Sequence, residues 1–329
     1  MTVIQRLAGI ITGCCLIILT ACQAVDPPLD PPAPHPLLGT TTGPYVDPDS
    51  IAAQWVAAHP HHPLSDEVER DIASKAIARW VQGPGPAAAR ETRRYVSAAT
   101  TANSMPMLVL NRVSDLSCDT FEANAQHASD DMEEWTRHVA EGIAEREAIV
   151  IVEPRALSNP HCRSAHRDAR TAAVAASATT LTQHAPNAHV LLAAGDGTGI
   201  GVATMVKLLK AANIQQTAGF ALNVGRYTPH GQTERYGATL RKALGEATGR
   251  TDYVFAIDTS RNGAGPLDGT CNPPGAELGH TSSLGGPLKQ AQTLWLTTPG
   301  ISDGPCGTAP RSPRGTFNPD LAHQLITGA

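Results

Sequence analysis

Five short, uninterrupted apolar runs most constrain what this chain folds into: Met107-Leu108-Val109-Leu110, Ala148-Ile149-Val150-Ile151-Val152, Val190-Leu191-Leu192-Ala193-Ala194, Tyr253-Val254-Phe255-Ala256-Ile257 and Thr293-Leu294-Trp295-Leu296-Thr297. A strand with one face in water alternates apolar and polar residues. A strand that is apolar at nearly every position is covered on both faces, as in parallel sheets and barrels. The intervening segments carry helical periodicity. Met132, Trp135, Val139 and Ile143 form one stripe, Val202, Met205, Val206 and Leu209 a second, and Tyr236, Leu240 and Leu244 a third. Strands alternating with helices predict an α/β architecture. At 329 residues with 41% hydrophobic content, the chain suits one large domain. In a parallel barrel the loops after the strands build the active site, so the residues following the apolar runs are the ones to read for chemistry.

The N-terminus stands outside this pattern. Arg6 precedes an apolar stretch from Leu7 to Leu19, too short to span a bilayer comfortably. It ends in Leu19-Thr20-Ala21-Cys22, which resembles a bacterial lipobox with Cys22 as the acylated residue. The Pro-rich segment Asp26 to Pro34 then reads as an extended spacer. The expected organisation is a signal peptide (1–21), a tether (22–36) and a barrel domain (37–329), in an exported protein anchored by lipid to the outer face of a membrane. Cleavage removes Cys14 and Cys15 and lipidation uses Cys22. That leaves Cys118, Cys162, Cys271 and Cys306 for two disulfides, with three pairings open.

Lys and Arg (25) fall short of Asp and Glu (30) without any long basic run, which argues against a nucleic-acid partner. Gly195-Asp196-Gly197-Thr198-Gly199-Ile200-Gly201 follows a strand, but it lacks dinucleotide-fingerprint spacing and a Walker lysine, so no nucleotide is expected. No CxxC pair suggests zinc, and His59, His61 and His62 read as a solvated loop; no metal or cofactor is expected.

The strand-end motifs resemble those of glycoside hydrolase family 6. Glu153-Pro154-Arg155-Ala156-Leu157 is similar to the family's Glu-Pro-Asp-Ser-Leu, and Phe220-Ala221-Leu222-Asn223-Val224-Gly225-Arg226-Tyr227 to its Phe-Ala-x-Asn-Val-x-x-Tyr. Ile257-Asp258-Thr259-Ser260-Arg261-Asn262-Gly263, Cys271-Asn272-Pro273-Pro274-Gly275 and Trp295 through Cys306 complete the set in family order. The resemblance implies a distorted parallel (β/α) barrel, the disulfides Cys118–Cys162 and Cys271–Cys306, and ancestry among inverting β-1,4-glucanases.

It also implies losses. Inverting hydrolysis needs a carboxylic acid at the leaving oxygen and a base activating water about 6.5–9.5 Å away. At the family's acid position stands Arg155, which cannot donate a proton usefully. Asn111 replaces the Tyr beneath the sugar, Leu116 an Arg and Ser117 the assisting Asp. Ala193, Asp196 and Gly199 replace an acid, a sugar-binding His and an aromatic platform, and Thr270 replaces a Trp. Thr297 and Ile301 replace the sugar-binding Lys and Glu. Asp303 matches the base position, with capping inside Ser302-Asp303-Gly304 as the plainer role. Asn223 matches a retained substrate-binding position. Trp80 matches a cleft Trp or is a packing residue on an amphipathic helix, and Glu153 and Arg261 are read as buried braces. Aromatics make up only 4% of the chain, which leaves few platforms for sugar rings. The expectation is a surface-tethered glycan-binding or scaffold protein on a poly- or oligosaccharide; the alternative is a divergent glucanase with Asp303 as base and Asp115 or Asp196 as a relocated acid.

Overall fold

The computed structural model describes residues 42–113, 124–159, 164–284 and 291–329. Cys22, Ser117, Cys118 and Cys162, and with them the Cys118–Cys162 pairing and Asp115, lie outside these residues.

Seven parallel strands follow one another in chain order: β1 (Arg79–Val81), β2 (Met107–Leu110), β3 (Ala148–Val152), β4 (Ala188–Ala193), β5 (Gly219–Leu222), β6 (Val254–Asp258) and β7 (Ala291–Leu294). Helices α3 (Gly85–Thr101), α4 (Ala125–Ile143), α5 (Ser164–His184), α6 (Val202–Ala211) and α7 (His230–Thr248) make the successive crossovers from β1 to β6. Helices α1 (Ile51–Ala58) and α2 (Ser65–Val68) precede the sheet, and α8 (Pro319–Thr327) follows it.

The uniform apolar runs serve two cores. Leu108, Leu110, Val150, Val152, Val190, Leu192, Phe220, Leu222, Phe255 and Ile257 point outward and pack against the crossover helices. The alternate residues, among them Met107, Val109, Ile149, Ile151, Leu191, Ala221, Val254 and Ala256, fill the concave side. The predicted helical stripes supply the outer partners: Met132, Trp135, Val139 and Ile143 are all buried on α4. The sheet curls until its ends meet at a single parallel bridge, Ile77 to Trp295, where the Ala78 N–H donates to the Trp295 carbonyl at 2.9 Å. The fold is thus a curled, incompletely paired (β/α) barrel.

Two strands lie outside the five apolar runs. β1 has three residues and begins with the half-buried Arg79, and β5 opens with Gly219. That glycine is required by packing, since a Cβ there would sit 1.8 Å from the Val254 carbonyl oxygen on β6. Trp80 is on β1, not on a helix. The His59–His62 loop is organised by Trp55, whose ring stacks on His59 at 5.0 Å and meets His62 edge-on at 5.1 Å.

Candidate active site

The C-terminal ends of the strands border two adjoining cavities of about 490 and about 630 Å³, which share Pro154, Arg155, Val224, Gly225, Asp303 and Arg314. The first is also lined by Trp80, Thr297 and Ile301, the second by Asp196, Gly199 and Thr270. The strand ends are braced by residues in left-handed backbone that side chains rarely adopt. Glu153 (φ 52°) leaves β3, Asn223 (φ 63°) leaves β5, and Asn272 (φ 42°) lies beside Asp303. Strain gathered around one cleft is a mark of functional sites.

Hydrogen bonds hold these conformations in place. The fully buried Glu153 carboxylate accepts from the backbone N–H groups of Arg112 (2.6 Å) and Val113 (3.1 Å), tying the exit of β2 to that of β3. Asn223 is also fully buried: its amide donates to the Asp258 carbonyl at 2.9 Å and its Oδ1 accepts from Thr228 N–H at 3.1 Å. It is not among the residues that line either cavity. Asp258 accepts from the N–H groups of Gly225, Ser260 and Leu296. Burial raises its pKa against the pull of these donors and of Arg261.

Asp303 is not a local loop cap. Ser302 does that work, its Oγ accepting from Gly304 N–H at 3.1 Å. The Asp303 Oδ1 takes Nη1 and Nη2 of Arg261 at 3.1 and 3.2 Å, while Oδ2 takes the Tyr227 hydroxyl at 2.7 Å and Asn272 N–H at 3.1 Å. Arg261 is 2% exposed and also donates to Tyr227 Oη and the Gly225 carbonyl. Burial opposes its charge, but Tyr227, Asp303 and Asp258 outweigh burial and raise its pKa. Burial likewise drives the Tyr227 phenol well above its usual value. Tyr227 stands inside a recognisable motif, yet its place as the link between Asp303 and Arg261 is not legible from spacing.

Arg155 occupies the turn after β3 and lines both cavities with Asp303. Burial pushes its pKa down to about 10, Arg314 and Arg226 push the same way, and Asp303 acts in opposition. It remains a cation at neutral pH. Asp196 is held in the second cavity by its own loop and the loop after β5: Oδ1 accepts from the N–H and hydroxyl of Thr198 at 3.0 and 2.7 Å, and Oδ2 from the Thr228 hydroxyl at 3.2 Å. Trp80 donates its indole N–H to the Leu296 carbonyl at 2.6 Å and keeps a half-buried ring at the first cavity. Asn111 and Thr297 are buried, Ile301 is half-buried and Gly199 is exposed. Cys271 and Cys306 are disulfide-bonded, joining the loop after β6 to the loop that carries Asp303. Among the described residues, no cluster of metal-ligating side chains occurs.

The sequence model of the glycosyl hydrolases family 6 matches residues 41–329. Endoglucanase 1 of Streptomyces halstedii is 34% identical over 290 residues, covering 88% of this chain and 89% of that one. Endoglucanase A of Thermobispora bispora is 34% identical over 292 residues, 87% of this chain and 62% of its own length. Among solved structures, the endoglucanase Cel6 from Mycobacterium tuberculosis in complex with methyl-cellobiosyl-4-deoxy-4-thio-β-D-cellobioside superposes with a TM-score of 0.75 at 28% identity, over 89% of this chain and 99% of that chain. Endoglucanase CEL6B from Humicola insolens gives 0.71 at 20% identity, covering 87% and 96%, which speaks to the fold alone.

Proposed function

The chain belongs to glycosyl hydrolases family 6, and from that premise we propose that it binds a glycan in its cleft without cutting it. The observation that carries this reading is Arg155, a permanent cation sharing the cleft with Asp303 at the acid position. Protonation of the leaving oxygen needs a group that can give up a proton, and an oxocarbenium-like transition state develops positive charge that a guanidinium opposes. The described carboxylates along the cleft are otherwise engaged. Asp47 and Glu91 are paired with Arg79, Asp196 accepts on both oxygens, and Asp303 is clamped by Arg261 and Tyr227.

Retained ligand binding has its own support. The cleft is open rather than filled, and Trp80 presents an apolar ring to it. Thr297 Oγ1, at this cavity, is buried without a protein hydrogen-bond partner, a condition that a ligand hydroxyl would satisfy. The ligand of the mycobacterial relative, a thio-linked cello-oligosaccharide, makes β-1,4-linked oligosaccharides the first class to try. Calorimetry and a reducing-end assay on the same cello-oligosaccharides test the reading together: saturable binding without new reducing ends is expected. New ends produced in proportion to enzyme would overturn it in favour of a divergent glucanase with a relocated acid.

The cellular setting belongs to the same proposal. Residues 1–21 act as a signal peptide, 22–36 as a tether, and Cys22 carries the lipid that holds the barrel at the extracytoplasmic membrane face. Among the described residues no helix is long and apolar enough to cross a membrane. Labelling with a fatty-acid probe should mark the wild type and not Cys22→Ser; equal labelling would remove the anchor.

A further inference from the structure

One wall of the first cavity is built from a single turn and the strand residue bonded to it. The indole N–H of Trp80 donates to the Leu296 carbonyl, which sets the ring beside the next residue, Thr297. Ile301 folds back onto the same turn, its N–H donating to the Thr298 carbonyl at 3.1 Å. Trp80, Thr297 and Ile301 all line the cavity. So does Ile51 at the start of α1, which is 41% exposed and, with Val46, is one of two large hydrophobic side chains left exposed among the described residues. Thr297 is 6% exposed, and its Oγ1 has no protein partner. Gly225, another lining residue, has no side chain to cover that hydroxyl, although a Cβ there would lie 3.4 Å from it. The carboxylates that line this cavity are Asp47, Glu91 and Asp303, and each is paired with an arginine.

These side chains favour a sugar that presents one polar atom next to an apolar group. A ring that carries hydroxyls alone is held by stacking and by donors and acceptors around its edge. Against Ile301, a sugar hydroxyl would exchange water for an aliphatic surface and gain no hydrogen bond, which is unfavourable. Against Thr297, an apolar group alone would leave the buried hydroxyl unpaired. An acetamido substituent meets both conditions. Its methyl group lies on the Ile301 side chain, with Ile51 adding apolar surface to the same cavity, and its amide pairs with the Thr297 hydroxyl, which both donates and accepts. These are the two positions where the resemblance to the family implies Lys and Glu. A charged pair suited to sugar hydroxyls has given way to one hydroxyl and one aliphatic side chain.

We infer that the first cavity selects an N-acetylated, β-1,4-linked oligosaccharide, with a sugar ring on Trp80 and the acetamido group between Thr297 and Ile301. The inference rests on the reading that the cleft binds a glycan, and it names the class. Thr297 and Ile301 are then the residues that set specificity. The ring face offered to Trp80 and the linkage are the same in this ligand as in a cello-oligosaccharide, so the acetamido group alone carries the discrimination.

Calorimetry on the full chain decides it, using three probes of equal length: a cello-oligosaccharide, the N-acetylglucosamine oligosaccharide of the same linkage, and its de-N-acetylated form. The acetylated probe should bind about tenfold more tightly than the cello-oligosaccharide, the size expected from one buried methyl group and one hydrogen bond. Removing the acetyl groups should abolish that advantage. Thr297→Val keeps the shape of the side chain without its hydroxyl and should lower acetylated-probe affinity several-fold. Ile301→Glu should erase the preference between the two neutral probes. Unchanged thermal midpoints establish that both variants remain folded. Equal or weaker binding of the acetylated probe, a de-N-acetylated probe that binds as well, or variants that keep the full preference would overturn the inference and leave the binding reading standing. Binding of none of the three would overturn both.

Discussion

At the scale of single residues, Arg261 and Asp303 decide how the cleft is held. Asp303 receives four hydrogen bonds from Arg261, Tyr227 and Asn272, and Arg261 is nearly inaccessible. Removing one partner of a buried pair leaves the other without compensation, which typically costs about 3–5 kcal/mol. Arg261→Met should therefore lower the unfolding free energy by an amount in that range, measured by urea unfolding. A loss below about 1 kcal/mol would mean that the pair braces little. These partners come from loops 34 and 42 residues apart in the chain. Motif spacing identified Asp303 and Arg261 separately, but side-chain geometry across three loops has no linear signature. The same reason hid Tyr227 as the bridge and Arg226 and Arg314 as cleft cations, since single arginines in loops look alike until the fold brings them together.

At the scale of elements, the crossover helices and strand-end loops carry their own tests. His230 begins α7, its ring edge-on to His280 at 5.6 Å. Burial lowers its pKa from the ordinary 6.5, His280 adds to the effect and Glu234 opposes it. A cation at a helix N-terminus also meets the positive end of the helix dipole. The folded state therefore binds this proton less readily than the unfolded one, so stability from this group is full above pH 6.5 and falls as pH drops through that value. Unfolding midpoints measured between roughly pH 7.5 and roughly pH 5 should decline in the wild type and decline less in His230→Gln; parallel profiles would contradict this origin. The Cys271–Cys306 bond spans 35 residues and fixes the Asp303 loop to the loop after β6. Closing a loop of that length removes about 3–4 kcal/mol of denatured-state entropy in the chain-entropy account. Cys271→Ser with Cys306→Ser should show a comparable stability loss in oxidising buffer, and an unchanged midpoint would argue that the loops are held by other contacts. Elements also differed in legibility. β2, β3, β4 and β6 lie in or overlap runs that are apolar at nearly every position, because both of their faces are covered, whereas β7, with alternating burial, overlaps its run only at Thr293 and Leu294. β1 has three residues and an arginine, and β5 starts at a glycine demanded by its neighbour, so neither forms a run long enough to see.

At the scale of the whole molecule, a family barrel carries a cleft that, on the proposed reading, has exchanged its acid for Arg155. Architecture rests on two layers of apolar residues and survives substitution at loop positions, whereas hydrolysis depends on a few groups placed within ångströms. The family's strand-end order was readable because it lies in contiguous motifs. The character of the cleft was only half readable: the substitutions against the family motifs show in the sequence, while the residues that share each cavity show only in three dimensions. The account's central claim is that this cleft binds without cutting. Its most direct measurement is a prolonged incubation of wild type and Asp303→Ala, side by side, with a β-1,4-linked oligosaccharide under sensitive product detection. The account predicts that the two give the same background. Product from the wild type that disappears in Asp303→Ala would contradict it.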